Sequence, residues 1–267
     1  MKIAIVIPTF DRPRRLRQAL DSICGQTRPP DEVHVVVDGG PSLGRLEAEY
    51  GDRLPLWIYY LKQNRGQSAA RNHVIAGCEC DAIAFLDDDD VFFDRHLERL
   101  ERGLREDPSL ALVFDDCEVT RELQKSTAGA ATSEKRTIAL DYDRTLMRKY
   151  DYLPPATWLA RAETLQRVGG FDDSFRCYED WDLLLRLEPW GGIRRCPGLG
   201  AKIRITLPAM NPEPESLVQE HKSQSLQFDD ARQDALRRFQ EKHGLSGIDA
   251  MTFWEVAAIV GDAGLHR

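Results

Sequence analysis

Short apolar runs alternate with helix-forming segments through the first 114 residues, and that alternation limits the fold more than any other feature of the chain. Residues 2–7, 33–37, 57–61, 82–86 and 110–114 are brief apolar runs bounded by turn-forming residues, as buried strands are. Between the first two, Leu16, Ala19, Leu20 and Ile23 recur at helical spacing, with Asp11 as the expected N-cap and Pro13 in the first turn. Further helices are expected over 43–50, over 68–76 with Ala69, Ala70, Val74 and Ile75 inward, and over 97–104 with Asp94 as cap. Strands that alternate with helices predict an α/β fold, a largely parallel Rossmann-like sheet with helices on both faces.

In such sheets ligands sit beyond the carboxyl ends of the strands. The polar clusters fall there: Thr9-Phe10-Asp11, Asp38-Gly39 and the aspartate quartet Asp87 to Asp90. Carboxylates this close repel one another, so some must be protonated, hydrated or neutralised by a cation, and a divalent metal is the most economical solution. A solvated acidic loop is the competing reading of the run alone.

The chain has 267 residues, 42% hydrophobic and 30% charged, which suits one large core or a core with a small appended piece. Lys and Arg total 36 against 44 Asp and Glu, and the net charge of -8 argues against nucleic acid as a partner. No apolar stretch is long enough to span a bilayer, so a soluble, cytoplasmic protein without a transmembrane segment is expected. Six cysteines without a C-x-x-C pair are expected as reduced thiols, with Cys78-Glu79-Cys80 a minor possibility for metal. Residues 125–137 read as a mobile surface loop. Beyond 207 prolines interrupt the chain, and 224–243 and 251–260 read as two helices.

The first turn lacks the glycines of a dinucleotide site, and no G-x-x-x-x-G-K-[ST], G-x-S-x-G or zincin helix occurs. What remains is an α/β sheet with acids at its strand ends.

Six segments, in order, resemble the family 2 glycosyltransferases. They are Ile5-Val6-Ile7-Pro8-Thr9-Phe10-Asp11-Arg12, Val35-Val36-Val37-Asp38-Gly39, Asn64-Arg65-Gly66-Gln67-Ser68-Ala69-Ala70-Arg71-Asn72, Phe85-Leu86-Asp87-Asp88-Asp89-Asp90, Val168-Gly169-Gly170-Phe171-Asp172 and Glu179-Asp180-Trp181-Asp182-Leu183-Leu184-Leu185-Arg186. The resemblance spans roughly 2–205. It implies a GT-A fold and inverting transfer of a single sugar from a nucleotide-diphosphate sugar to an acceptor hydroxyl, on a surface polysaccharide or a natural product. The division it implies is a catalytic domain over 1–207, with a nucleotide half at 1–114 and an acceptor and base half at 115–207, followed by a helical extension at 208–267.

The same resemblance implies roles for individual residues. Pro8, Thr9, Phe10, Asp11, Asp38, Gly66, Arg71, Asp87 and Asp88 would line the nucleotide-sugar site, and Asp89 with Asp87 would hold Mn²⁺ or Mg²⁺. Asp180, with Glu179 beside it, would be the general base. His221 stands where some relatives place a histidine on metal or phosphate. Simpler roles stand beside these: Thr9 closing a turn, Asp11 capping its helix, Asp38 in an Asx-turn with Gly39-Gly40, Arg71 at the surface, and Glu179, Asp180 and Asp182 complementing a helix dipole. Trp181 is expected in the core. Family members often carry two acids and a serine where Val37-Asp38-Gly39-Gly40 stands, which leaves the base of the donor open. A sugar-1-phosphate nucleotidyltransferase and a catalytically silent sugar-nucleotide binder are the rivals, and the C-terminal helices suit a homodimer.

Overall fold

A computed structural model describes residues 1–122, 133–206, 232–249, 251 and 253–264. Its first half alternates as the sequence predicts: β1 (Ile3–Thr9), α1 (Pro13–Cys24), β2 (Glu32–Val37), α2 (Leu46–Tyr50), β3 (Leu56–Tyr60), α3 (Gln67–Ile75) and β4 (Ala82–Phe85). β5 (Val91–Phe92), α4 (His96–Glu106), β6 (Leu110–Glu122), β7 (Ser133–Ile138), α5 (Arg144–Met147), β8 (Trp158–Arg161), α6 (Ala162–Arg167), α7 (Glu179–Leu187) and β9 (Gly192–Thr206) follow. Helix α8 (232–243) and α9 (Phe253–Gly264) close the chain.

The strands form one nine-stranded sheet in the order β3-β2-β1-β4-β8-β6-β9-β5, with β7 added to β6. β3, β2, β1 and β4 are mutually parallel, and β9 runs parallel to β6. β8 lies antiparallel between β4 and β6. The steps β1 to β2 and β3 to β4 cross the sheet in opposite directions, so right-handed crossovers set α1 and α3 on opposite faces. Strands covered on both faces need apolar residues at every position. All of β1 and β4 is buried, whereas the edge strand β3 is partly exposed.

Three sequence expectations are corrected. Asp11 does not cap α1 and Asp94 does not cap α4: the N-cap residues are Arg12 and Arg95, neither with a side-chain cap bond. Asp11 instead takes a left-handed backbone, φ 51°. The expected loop over 125–137 includes strand β7, which pairs antiparallel with residues Cys117 to Glu122 of β6. This ribbon is polar, with Lys135 paired to Glu118 at 3.1 Å across it, so hydrophobic periodicity gave no sign of it. Residues 125–132 lie outside the described residues.

The C-terminal helices join the same hydrophobic cluster as the sheet through Leu236, Phe239, Val256, Ala257 and Val260. Phe239 of α8 stacks on Trp181 of α7 at 4.3 Å, and Trp181 is core, as expected, its indole donating to the Met147 carbonyl at 2.6 Å. Lys242 and His243 meet the buried Asp182 carboxylate at 2.7 and 2.8 Å.

Candidate active site

The parallel half ends β1, β2 and β4 on one edge of the sheet, and a cavity of about 460 Å³ opens there. Pro8 and Thr9 end β1, Phe10 and Arg12 come from the turn after it, Asp38 follows β2, Gly66 and Gln67 start α3, and Asp87, Asp88 and Asp89 follow β4. Phe10 lies half-exposed over this space. The Asp38 carboxylate reaches across to the β3–α3 connection, accepting from the backbone N–H of Arg65 at 2.9 Å and of Gly66 at 2.7 Å. Its acid therefore fixes the loop that starts α3 and makes no turn with Gly39-Gly40.

Each acid of the quartet accepts a hydrogen bond from the chain. Asp87 accepts from Arg71 at 2.5 Å. Asp88 accepts from the Thr9 hydroxyl at 2.7 Å and from Arg12 at 3.2 Å. Asp89 accepts from the same Arg12 nitrogen at 2.9 Å, and Asp90 accepts from the Arg204 backbone N–H at 2.8 Å. Burial pushes the carboxyls of Asp88, Asp89 and Asp90 up, and the neighbouring Asp87 charge adds to the rise at Asp89 and Asp90. The repulsion foreseen from the sequence is thus met largely by guanidinium groups of the chain itself.

The donor chemistry fits a hard divalent cation. Asp87 and Asp89 present partly exposed carboxylates to the cavity, and Mg²⁺ or Mn²⁺ in phosphate-handling sites takes one or two carboxylates and completes its shell with phosphate and water. Among the described residues the one trio of ligand atoms already gathered within 4.8 Å is elsewhere: Glu32, Cys78 and Cys80, at the far end of the sheet. There Glu32 is engaged with Lys2 and, at 2.9 Å, with His34.

A second acid cluster adjoins the first. Tyr178, in a left-handed conformation of φ 66°, turns the chain into α7, so that Glu179 and Asp180 open the helix. Arg71 joins the clusters: it is 1% exposed, it binds Asp87, and its other terminal nitrogen lies 3.5 Å from Glu179. Gln67 donates to the same Glu179 oxygen. Asp180 accepts from the Trp181 N–H at 2.9 Å and lies close to Asp151, whose Oδ1 is buried without a hydrogen-bond partner. Burial and the Asp180 charge push Glu179 up to about 7. Asp151 lies well above the usual range for the same two causes, and burial raises Asp180 as well.

Asn72 locks these pieces in register. Its amide donates to the Phe171 carbonyl at 2.7 Å and accepts from the Phe171 N–H at 2.8 Å. Gly170, φ 69°, is required beside it, since a Cβ there would stand 2.3 Å from the Asn72 side-chain oxygen.

Of the residues singled out from the sequence, Pro8, Thr9, Phe10, Asp38, Gly66, Asp87, Asp88 and Asp89 share the first cavity. Arg71 lies directly behind it, buried and so not the surface arginine that was the alternative. Glu179 and Asp180 line an adjoining cavity that shares Gln67 and Arg176 with the first. Asp11 stands apart, on a separate depression with Pro13 and Arg17. His221 lies outside the described residues. Sequence reasoning passed over Arg12, Gln67, Asp151 and Arg176. Gln67 stands inside a quoted motif, whereas Asp151 sits in a loop with no pattern around it.

The sequence model of Glycosyl transferase family 2 matches residues 4–169. YwdF of Bacillus subtilis, an uncharacterized glycosyltransferase, is 30% identical over 253 residues, 95% of this chain and 88% of its own. The pre-mycofactocin glycosyltransferase of Mycobacterium tuberculosis is 29% identical over 190 residues, which cover 69% of this chain and 38% of that protein. S. aureus TarS shares the fold at 19% identity and a TM-score of 0.60, covering 77% of this chain but 37% of TarS. The structure of TarS 1–349 in complex with UDP-GlcNAc superposes with a TM-score of 0.61 at 17% identity, over 78% of this chain and 60% of that one. Among the described residues no helix is long and apolar enough to cross a membrane.

Proposed function

Since the chain belongs to glycosyl transferase family 2 and is therefore a sugar-transferring enzyme, we propose that it moves a single sugar from a nucleotide-diphosphate donor to an acceptor hydroxyl, with inversion and with a divalent metal. One observation carries the reading: Arg71 ties Asp87 of the first acid cluster to Glu179 of the second, so donor and base groups form one connected site.

The first cavity takes the nucleoside diphosphate. Phe10 offers a ring face for the base, and Thr9, through Asp88, fixes the floor. Asp87 and Asp89 would hold Mn²⁺ or Mg²⁺, which when bound supplies Lewis-acid stabilisation of the departing diphosphate. Arg12, now spanning Asp88 and Asp89, would yield Asp89 to a bound metal and remain beside the phosphates as a cation. The carboxylate of Asp180 takes the proton of the acceptor hydroxyl as its oxygen attacks the anomeric carbon opposite the diphosphate. Asp151, pushed well up by burial and the Asp180 charge, would hold the proton of the pair and leave Asp180 ionised. Glu179 acts through Arg71 and Gln67 on the position of α3.

Residues 1–207 form the catalytic unit in this reading and 208–267 an extension upon it. A cytoplasmic location is in keeping with six unpaired cysteines. The test is product analysis on uridine, guanosine and thymidine diphosphate sugars, with nuclear magnetic resonance of the anomeric centre. Release of a nucleoside diphosphate with inversion supports transfer. Released pyrophosphate would instead support nucleotidyl transfer, and retained configuration would overturn the assignment of Asp180 as base.

A further inference from the structure

The second cavity, of about 350 Å³, is built from two unlike surfaces. Asp151, Glu179 and Asp180 supply acids from the catalytic half, whereas Met251, Phe253 and Val256 supply apolar side chains from the start of α9 and the residue leading to it. Two contacts fasten the surfaces together. Arg232 of α8 donates to the Tyr178 hydroxyl at 3.1 Å and to the Met251 carbonyl. These bonds hold Met251 against the turn that opens α7.

Position and chemistry say what such a cavity accepts. It shares Gln67 and Arg176 with the donor cavity, so a molecule here abuts a sugar held there, as direct displacement requires. Arg232, which also lines the cavity, is turned to Tyr178 and the Met251 carbonyl, so the polar partners of a hydroxyl reaching Asp180 lie among the acids and at the Gln67 and Arg176 edge. The remaining body of the ligand faces Met251, Phe253 and Val256, where hydroxyl groups lose their water without gaining a hydrogen bond and apolar carbon gains by burial. The buried Asp151 Oδ1 without a hydrogen-bond partner is an additional polar group on the acidic side.

We propose that this cavity is the acceptor site and that it selects a hydroxyl carried on an apolar body, an aryl group or hydrocarbon chain, over a bare polyhydroxylated sugar. The assignment rests on the glycosyltransferase reading above. Residues from α8 and α9 thereby set specificity, although the chemistry stays with α7.

Matched probes test it: phenyl and methyl glucoside, which offer the same hydroxyls, titrated by calorimetry into protein preloaded with uridine diphosphate and Mn²⁺. Phenyl glucoside is expected to bind at least tenfold more tightly. Phe253→Ala should remove most of that preference, Phe253→Leu should keep it, and both should retain the wild-type affinity for the diphosphate. A separate thermal melt establishes that each variant is folded; if Phe253→Ala does not fold, Met251→Gln takes its place. Equal binding of the two glucosides, or a preference that survives loss of the apolar side chain, overturns the proposal. The donor reading is tested separately in the same samples: absence of diphosphate binding by wild type contradicts that reading. A phenyl preference lost in the variant without nucleotide binding identifies an apolar ligand site and overturns its assignment to an acceptor.

Discussion

The quartet after β4 and the acid group at the start of α7 use the same side-chain chemistry to opposite ends. In the first, Asp87, Asp88 and Asp89 are held by Arg71, Arg12 and Thr9, with Asp88 and Asp89 sharing Arg12. In the second, Asp151, Glu179 and Asp180 crowd together with Arg71 as the shared cation, and Glu179 is pushed up to about 7. A carboxylate matched with an exposed cation, as Asp89 is with Arg12, is ready to exchange that cation for another. Carboxyls crowded in a buried place hold protons instead, and a raised carboxyl beside an ionised one is how a site separates acid from base. The lesson is that burial and cation supply, more than residue type, divide the labour between metal and proton.

The largest effect that sharpens this contrast is on turnover. Asp180→Asn keeps the shape of the side chain and removes its basicity, and we expect the rate of nucleoside diphosphate release to fall by about 10²–10⁴. Nucleoside diphosphate affinity should change little in the same variant. A loss of affinity as large as the loss of rate would merge the two clusters into one function.

Asp89→Ala addresses the first cluster. Its loss should weaken Mn²⁺ binding, measured by electron paramagnetic resonance, by more than the roughly 10–100-fold that removal of an outer partner of a metal ligand costs. Arg12→Gln should act in the other direction. Arg12 is mostly exposed, so its competition for the Asp89 carboxylate is worth at most about 1 kcal/mol, and the variant is expected to bind Mn²⁺ up to about fivefold more tightly. Unchanged or weakened Mn²⁺ binding would show that Arg12 does not compete with the metal.

The smallest effect is on the pH dependence of stability. Glu179 binds its proton more tightly folded than unfolded, its ordinary value being 4.5 and its folded one about 7. Its contribution to stability is therefore complete below pH 4.5 and is lost as pH rises through about 7. Glu179→Gln should flatten the fall of melting temperature across that window. A slope identical to wild type would assign the pH dependence to Asp151 and Asp180.

The parallel half was legible because its strands are covered on both faces and therefore read as unbroken apolar runs, as in β1 and β4. The β6–β7 ribbon escaped notice because its residues from Asp115 to Glu122 carry charges that meet across strands, as Glu118 and Lys135 do. The quartet was visible as an acid run after a strand, but its neutralisation by Arg12 and Arg71 depends on a turn 76 residues away and on a helix face. Asn72 gripping Phe171 joins two motifs across 99 residues, which spacing alone does not foretell. Asp151 carried no local pattern at all, and only the fold brings it to Asp180.

The division of labour is tested most directly by calorimetric titration of uridine, guanosine and thymidine diphosphates, each with Mn²⁺ and with chelator, into wild type, Asp89→Ala and Asp180→Asn. The account predicts metal-dependent binding of at least one diphosphate by wild type, loss of it in Asp89→Ala, and retention of it in Asp180→Asn. Binding that is indifferent to metal and to Asp89, or that fails equally in both variants, would contradict it.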